Sequence, residues 1–499
     1  MSEPFLRLTL ADEAASARLG EDLASALRAG DCLLLSGDLG MGKTTLARAL
    51  IRAFLDDDET EVPSPTFTLV NLYEEGRSPL AHFDLYRLSD PQELMEIGFF
   101  DALKDGIILV EWPERAAGEM PTEALKIDFS PSGTGRSLAF TGSPRWAERI
   151  GRTLEIREFL DQNRWKMAKR RFLQGDASPR AYETISDNRG NKAILMNAPA
   201  TTDGPIVRDG KRYSELAHLA EDVRPFVAIG EALRARGLPA PEIYAQAMDK
   251  GFLLLQDFGR GSVIEADRPV AERYEVALDL LAAIHGLDWP ETVPLPGGNS
   301  YTLPVFDKDV VDIELSLLAE WYAPHVGAEP FQASAIKQYQ AIWNDLFDRL
   351  SRGEKSWMLR DYHSPNLIWR PQEAGLARIG IIDYQDALIG PSAYDVASLC
   401  QDARHTVPPA LEAALKDRYA AARVAQEKPF DRVAFEADYA IIAAERGTRL
   451  LGLWPRLKMR DGKPHYMKHM PRTKEYLRRS LMHPILRELR RWYDQNLKL

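Results

Sequence analysis

At 499 residues, 45% apolar and 27% charged, the chain exceeds one ordinary hydrophobic core and reads as a globular protein of two or more domains. Its net charge of −11 is unevenly spread: residues 1–150 hold 14 Lys+Arg against 26 Asp+Glu, and the remainder 49 against 48. No run approaches the roughly 18 apolar residues of a membrane span, and an acidic first domain argues against direct nucleic-acid binding there, leaving a protein partner as its route into any nucleic-acid pathway.

The opening stretch MSEPFLRLTLADEAASARLG lacks the basic flank, apolar segment and cleavage site of a signal peptide. Cys32 and Cys400 lie far apart in apolar surroundings, so no disulfide framework is expected and a reducing, cytoplasmic setting fits. Cys32–Ser36 reads as a strand, followed by a glycine-rich turn and a helix over Lys43–Phe54; Ile107–Val110 is a second buried strand. The pattern predicts a parallel α/β sheet. Residues 129–146, rich in Ser, Gly and Pro with one short apolar strand, suit a domain edge running into a linker, which sets a boundary near residue 150. Strand-like segments then run to about Gln256, and helical periodicity dominates from there to the end.

Gly37-Asp38-Leu39-Gly40-Met41-Gly42-Lys43-Thr44 fits G-x-x-x-x-G-K-[ST] between strand and helix. The glycines let backbone amides turn toward phosphate oxygens at a helix N-terminus. Lys43 reaches the outer phosphates as a point charge, and the Thr44 hydroxyl is a magnesium ligand. Thr45 is a helix-start residue at the edge of the same cradle. Glu111 ends an apolar strand, where open α/β sheets bind ligands and where a carboxylate orients water or holds magnesium. Asp84, in His82-Phe83-Asp84-Leu85, is a second carboxylate of that kind, and Trp112 is placed to stack on a base or simply to pack. The bland reading of either acid is an exposed loop carboxylate. Together SGDLGMGKTT, SPTFTLVNLYE, HFDLYRL and ILVEWPER resemble the TsaE family, the small ATPases of bacterial tRNA threonylcarbamoyladenosine synthesis, over about residues 5–150. The resemblance implies ATP binding, slow hydrolysis and action with TsaD and TsaB. It implies magnesium and catalytic roles at Thr44, Asp84 and Glu111, a nucleotide contact at Trp112, and a nucleotide-sensing switch at Ser64–Phe67.

The second motif is Leu359-Arg360-Asp361-Tyr362-His363-Ser364-Pro365-Asn366, with Asp383 after Ile381-Ile382, 17 residues beyond Asn366. A D-x-x-x-x-N loop with a later aspartate after an apolar strand is a kinase arrangement: Asp361 positions the nucleophile as base, and Asn366 and Asp383 hold Mg²⁺ on the ATP phosphates. The segments Gly175–Tyr182, Leu253–Gly259, Ala282–His285 and Ile382–Ala387 resemble the aminoglycoside phosphotransferase/choline kinase superfamily over about residues 155–499. Within it, these together with Arg446–Gly452 and Tyr466–Pro471 look like the AmgK-like anomeric sugar kinases, which phosphorylate N-acetylmuramate and N-acetylglucosamine at the 1-hydroxyl. The superfamily pattern implies a phosphate-covering turn at Gly175, Ser178 and Arg180, and an adenine-facing hinge at Leu255–Phe258 that includes Gln256 and Asp257.

Two positions depart from that pattern. Met196 stands where relatives carry a phosphate-pairing strand lysine, and a methionine cannot donate to phosphate. Arg180 and Lys192 are the cations at hand to substitute, unless they are solvated surface charges. Leu359 replaces a bracing histidine two residues before the catalytic aspartate. His363 reads as a loop brace, His285 as packing, Asp395 as a helix cap bracing the loops, and residues 466–499 as a basic amphipathic helix.

The expected fold is therefore an α/β P-loop NTPase domain (1–150) followed by an α+β, two-lobed, protein-kinase-like aminoglycoside phosphotransferase domain (155–499, lobes dividing near 258). The expected function is an ATPase of tRNA modification joined to a sugar kinase of peptidoglycan recycling, with ATP and Mg²⁺ as cofactors. The alternatives are a kinase for choline, an aminoglycoside or another amino alcohol, and a non-catalytic pseudokinase.

Overall fold

The N-terminal region alternates short apolar strands with amphipathic helices: β1 (Leu6–Leu10), α1 (Glu13–Ala26), β2 (Cys32–Ser36), α2 (Lys43–Leu55), β3 (Val70–Tyr73), β4 (Leu80–Asp84), α3 (Glu93–Glu96), α4 (Phe99–Asp105), β5 (Ile107–Glu111), β6 (Leu125–Ser132) and β7 (Gly135–Thr141). The computed structural model describes residues 3–173, 180–201, 206–426 and 428–497. The strands form one seven-stranded sheet in the order β1-β7-β6-β2-β5-β4-β3. Its centre, β6-β2-β5-β4, is parallel, while β1, β7 and β3 pair antiparallel. The expectation of a parallel sheet is thus corrected to a mixed one. The reason lies in the Ser/Gly/Pro stretch read as a linker: Gly133, at φ +58°, sits in the two-residue turn of the β6–β7 hairpin, and that hairpin extends the sheet.

One helix, α5 (Pro144–Gln162), serves two cores. Trp146 and Ile150 pack into the core between the first sheet and its helices, with Leu33, Leu50 and Ile127. Ile156, Phe159 and Leu160 enter a second core with Ile185, Leu195 and Leu254. That core lies under a five-stranded sheet made of β8 (Lys169–Leu173), β9 (Ala181–Ser186), β10 (Lys192–Asn197) and the strands Ile243–Ala247 and Phe252–Gln256. The chain accordingly divides into two compact units, Met1–Ala198 with Ala245–Leu255, and Pro199–Tyr244 with Gln256–Leu499.

Within the first unit a buried ionic seam ties α1 to α5 and β8. Asp22 accepts from Arg157 Nε at 3.0 Å and Arg170 Nη1 at 2.6 Å, and Arg170 also donates to both Glu183 oxygens at 2.7 and 2.8 Å. Thr153 donates to the Asp22 carbonyl at 2.9 Å. Just beyond the end of α2, Asp58 pairs with Lys169 and Arg171 of β8.

The second unit is mainly helical, built around the long buried helix Arg432–Met459. Two short antiparallel pairs, Lys355–Met358 with Leu388–Pro391 and Leu367–Trp369 with Ile379–Ile381, carry the loops that matter below. The basic C-terminal run forms two helices, Met470–Ser480 and Arg487–Asn496, in place of one, since Pro484 starts a separate turn. Their apolar faces, including Leu477, Trp492 and Tyr493, are buried. Both cysteines are free and buried. Among the described residues, no helix is long and apolar enough to cross a membrane.

Candidate active sites

In the first unit the phosphate cradle is set by backbone geometry. Gly42 caps α2 in the left-handed region, φ +91°, and a Cβ there would lie 2.5 Å from Arg136 Nη1; Gly40 is also left-handed. A Cβ on Gly37 would lie 2.8 Å from the Phe129 carbonyl oxygen. Asp38 contributes its carbonyl: Lys43 Nζ donates to the Gly37 and Asp38 carbonyls at 2.6 and 3.0 Å, and lies 3.7 Å from the centre of the Trp112 ring. Burial holds the Lys43 ammonium below its ordinary pKa, with Glu111 the chief opposing influence. Thr45 lies in the first turn of α2.

The strand ends bring the acids together. Thr44 Oγ1 donates to Glu111 Oε2 at 2.8 Å, and Asp84 is the register partner of Glu111 across β4 and β5. Asp84 Oδ2 accepts from Ser64 Oγ at 2.6 Å and Thr66 Oγ1 at 2.9 Å, which attaches the Ser64–Phe67 segment to the site. Trp112 is half-buried, left-handed at φ +60°, and 5.0 Å from the Tyr86 ring. The sequence reading missed His82, fully buried, with Nε2 3.0 Å from Glu111 Oε1. Period-two spacing was the available signal, because His82 shares a face of β4 with Asp84. Thr44, Asp84 and Glu111 are hard oxygen donors of the kind magnesium prefers. Among the described residues no cluster of three or more His, Cys, Asp or Glu could hold a metal unaided. As hard oxygen donors, Thr44, Asp84 and Glu111 fit an ion that shares its ligands with phosphate and water.

In the second unit the catalytic-type loop spans the two short strand pairs. Asn366 Nδ2 donates to the Asp361 carbonyl at 3.0 Å and to Asp383 Oδ2 at 3.2 Å. Gln385 Nε2 donates to Asp383 Oδ1 at 2.9 Å. Arg360 and Asp383 are both left-handed, φ +68° and +62°, sharp bends of the sort found at functional loops. Asn366 and Asp383 again present oxygens suited to magnesium.

Three buried charges brace this loop. Asp395 lies inside the first turn of the helix Ala393–Cys400, whose cap is Ser392, so it is not the expected helix cap; it accepts from the Leu359 and Arg360 amides at 2.7 and 2.8 Å, which meets the expected bracing role. Asp402 accepts from the Ser364 amide at 2.8 Å. Glu314 receives Arg360, and also Arg449 at 3.0 Å. His285 is buried, with Nδ1 2.8 Å from Tyr419 Oη and Nε2 3.6 Å from Asp395 Oδ2; it is a polar link as well as a packing residue. Burial first, then Arg404, depresses the pKa of His363, which keeps it neutral.

Gly175 and Ser178 lie outside the described residues. Gln256 pairs with Glu242 through its amide, N to O at 2.8 Å, and Asp257 Oδ1 accepts from the Gly259 amide at 2.8 Å. Met196 is buried in β10 opposite Tyr182, whereas Lys192 pairs with Ser186 at the far end of the strand. Four residues of strand separate Lys192 from Met196 by about 13 Å. Arg180 immediately precedes Ala181, the partner of Asn197, at the Met196 end.

The family of the threonylcarbamoyl adenosine biosynthesis protein TsaE matches residues 10–138, and the phosphotransferase enzyme family matches residues 169–430. The chain is 36% identical over 350 residues, 68% of its length, to an N-acetylmuramate/N-acetylglucosamine kinase of Caulobacter vibrioides, covering 94% of that protein. It is 32% identical over 277 residues to the enzyme of the same name from Pseudomonas aeruginosa, 54% of this chain and 77% of that one. Its N-terminal part is 43% identical over 118 residues, 23% of this chain, to a tRNA threonylcarbamoyladenosine biosynthesis protein TsaE of Nostoc sp., covering 71% of it. The chain thus belongs to the TsaE family through its N-terminal region and to the phosphotransferase enzyme family through its C-terminal region, a fusion of a TsaE-like domain with an N-acetylmuramate/N-acetylglucosamine kinase-like domain.

Proposed function

We propose that the protein is a bifunctional, ATP-using cytoplasmic enzyme. Its ATPase module, residues 1–150, serves tRNA threonylcarbamoyladenosine synthesis with TsaD- and TsaB-like partners. Its kinase module, residues 155–499 with a first lobe to about 258, phosphorylates the anomeric 1-hydroxyl of N-acetylmuramate or N-acetylglucosamine. One observation supports the kinase reading above others: the Asn366 amide donates to the Asp361 carbonyl and to the Asp383 carboxylate, which ties the loop that carries the base to the loop that carries the second metal ligand.

When bound, ATP with magnesium supplies the transferable phosphoryl group and offsets its charge. Asp361 would orient the sugar hydroxyl and take its proton as the oxygen bonds to the γ-phosphorus and ADP leaves; Asn366 and Asp383 would hold the metal, with Gln385 steadying Asp383. Arg180, at the Met196 end of its sheet, is the cation best sited by register to stand in for the missing lysine, while Gln256 and Asp257 line the hinge. In the ATPase module Lys43 exchanges its loop carbonyls for phosphate oxygens, Thr44 and Asp84 hold magnesium, Glu111 orients water with His82 behind it, and Trp112 meets the base.

An acceptor panel with labelled ATP tests the reading. Transfer to the anomeric hydroxyl of either amino sugar is expected; transfer only to choline or an aminoglycoside sinks the acceptor assignment. The buried Met196 favours one second reading, a nucleotide-binding module without catalysis, which predicts no transfer to any acceptor.

A further inference from the structure

The helix Arg432–Met459 is buried along most of its length, and Arg446 lies near its middle with 5% of its surface exposed. Its neighbour Arg449 donates to Glu314 at 3.0 Å. Among the described residues Arg446 has no such acceptor. Its Nη1 is buried without a hydrogen-bond partner among the described residues. The guanidinium carbon lies 4.9 Å from the centre of the Tyr394 ring, and the Tyr394 hydroxyl is likewise buried and unpartnered. The adjacent Glu445 is mostly neutral at pH 7, because burial first and then Glu314 raise the pKa of its carboxyl to about 8, and both of its oxygens are buried without a hydrogen-bond partner among the described residues. A buried guanidinium nitrogen that no protein acceptor meets is costly to keep desolvated.

Its surroundings belong to the kinase loop. Tyr394 precedes Asp395, which grips the amides of Leu359 and Arg360. His363, between Asp361 and Asn366, feels the Arg446 charge, and its own Nδ1 is buried without a partner. Among the described residues, unmet polar groups thus come from the loop (His363), from the start of the helix Ala393–Cys400 (Tyr394) and from the long helix (Arg446).

We propose that Arg446 binds the carboxylate of the acceptor sugar and so sets the preference for an acidic over a neutral amino sugar. The inference rests on the amino-sugar kinase reading. N-acetylmuramate carries a lactyl carboxylate on its ring, where N-acetylglucosamine has a hydroxyl. A guanidinium fork matches a carboxylate with two parallel charge-assisted hydrogen bonds, strengthened away from water. Bound N-acetylglucosamine leaves that fork unmet.

The test is the ratio of kcat/KM for N-acetylmuramate over N-acetylglucosamine in the full chain. In Arg446→Gln the ratio falls by about tenfold to a hundredfold, the scale of a charged hydrogen bond, with the change carried by KM. A purely structural role lowers both sugars alike and leaves the ratio unmoved, which overturns the proposal. The wild-type protein supplies an arm that no folding defect can blur: the methyl ester of N-acetylmuramate shows a KM raised by a similar factor, and an ester KM equal to that of the acid also overturns it. If the wild-type protein phosphorylates neither sugar, the kinase reading itself fails and the proposal falls with it; transfer to both sugars with an unmoved ratio removes the proposal alone.

Discussion

The ATPase and kinase loops reach comparable chemistry through different scaffolding. Thr44, Asp84 and Glu111 stand at the C-terminal ends of parallel strands or the start of the helix between them, so sheet register alone puts the two acids side by side. Asp361, Asn366 and Asp383 instead lie on loops that link two short antiparallel strand pairs, where buried Asp395 and Asp402 hold loop amides and Glu314 holds the Arg360 side chain. A parallel sheet positions side chains as a consequence of its hydrogen bonding; a loop of this type must borrow rigidity from charges packed beneath it.

Removing the group at the centre of each site should separate the two activities. Asp361→Asn is expected to lower sugar phosphorylation about a thousandfold, the middle of the range for loss of a positioned base, with ATP hydrolysis by the N-terminal module retained. Loss of both activities in that variant would mean that the sites are misassigned. Lys43→Ala should do the converse, cutting the hydrolysis seen without acceptor about a hundredfold while sugar transfer persists. An unchanged acceptor-free hydrolysis rate would count against the P-loop assignment.

What binds the ATPase fold to the first kinase sheet can be broken in the same spirit. Asp22→Ala leaves Arg157 and Arg170 without a shared buried acceptor and is expected to cost about 3–5 kcal/mol of stability. The partly exposed pair Arg18–Asp161 should contribute no more than about 1 kcal/mol when broken. Urea unfolding of the two variants compares the seam with the surface; equal midpoints would show that the seam carries no special stability.

Local motifs made most of both sites legible. The glycine-rich loop announces its chemistry in eight residues, and Glu111 is marked by the apolar strand it ends. Spatial sharing was not legible. The Ser/Gly/Pro composition near Gly133 is common to linkers and hairpin turns, and only pairing in the sheet distinguishes them. The apolar face of α5 shows that the helix is buried but not that its two halves serve different cores. His82 was hidden among apolar neighbours, and a mid-helix arginine such as Arg446 looks like any solvated charge until its surroundings are known.

The braces under the kinase loop also predict a pH signature. Burial opposes ionisation of Glu314, yet Arg449 and Arg360 hold its carboxyl below the ordinary range, so its contribution is present at neutral pH and is lost only as pH falls through that depressed value. Glu445 behaves oppositely: burial first, then the Glu314 charge, raise its pKa. Between its ordinary and raised pKa the folded protein keeps a proton that the unfolded chain releases, so stability declines as pH rises across that window, by up to about 1.4 kcal/mol per pH unit for one proton. Glu445→Gln keeps the shape and removes the titration. Unfolding measured at pH 6, 7.5 and 9 should therefore show the wild-type midpoint drifting downward relative to the variant, with the two closest at pH 6. Curves that stay parallel would mean that Glu445 is ionised in the fold, and that the carboxylate in the middle of the long helix, adjacent to Arg446, already supplies the counter-charge this arginine lacks.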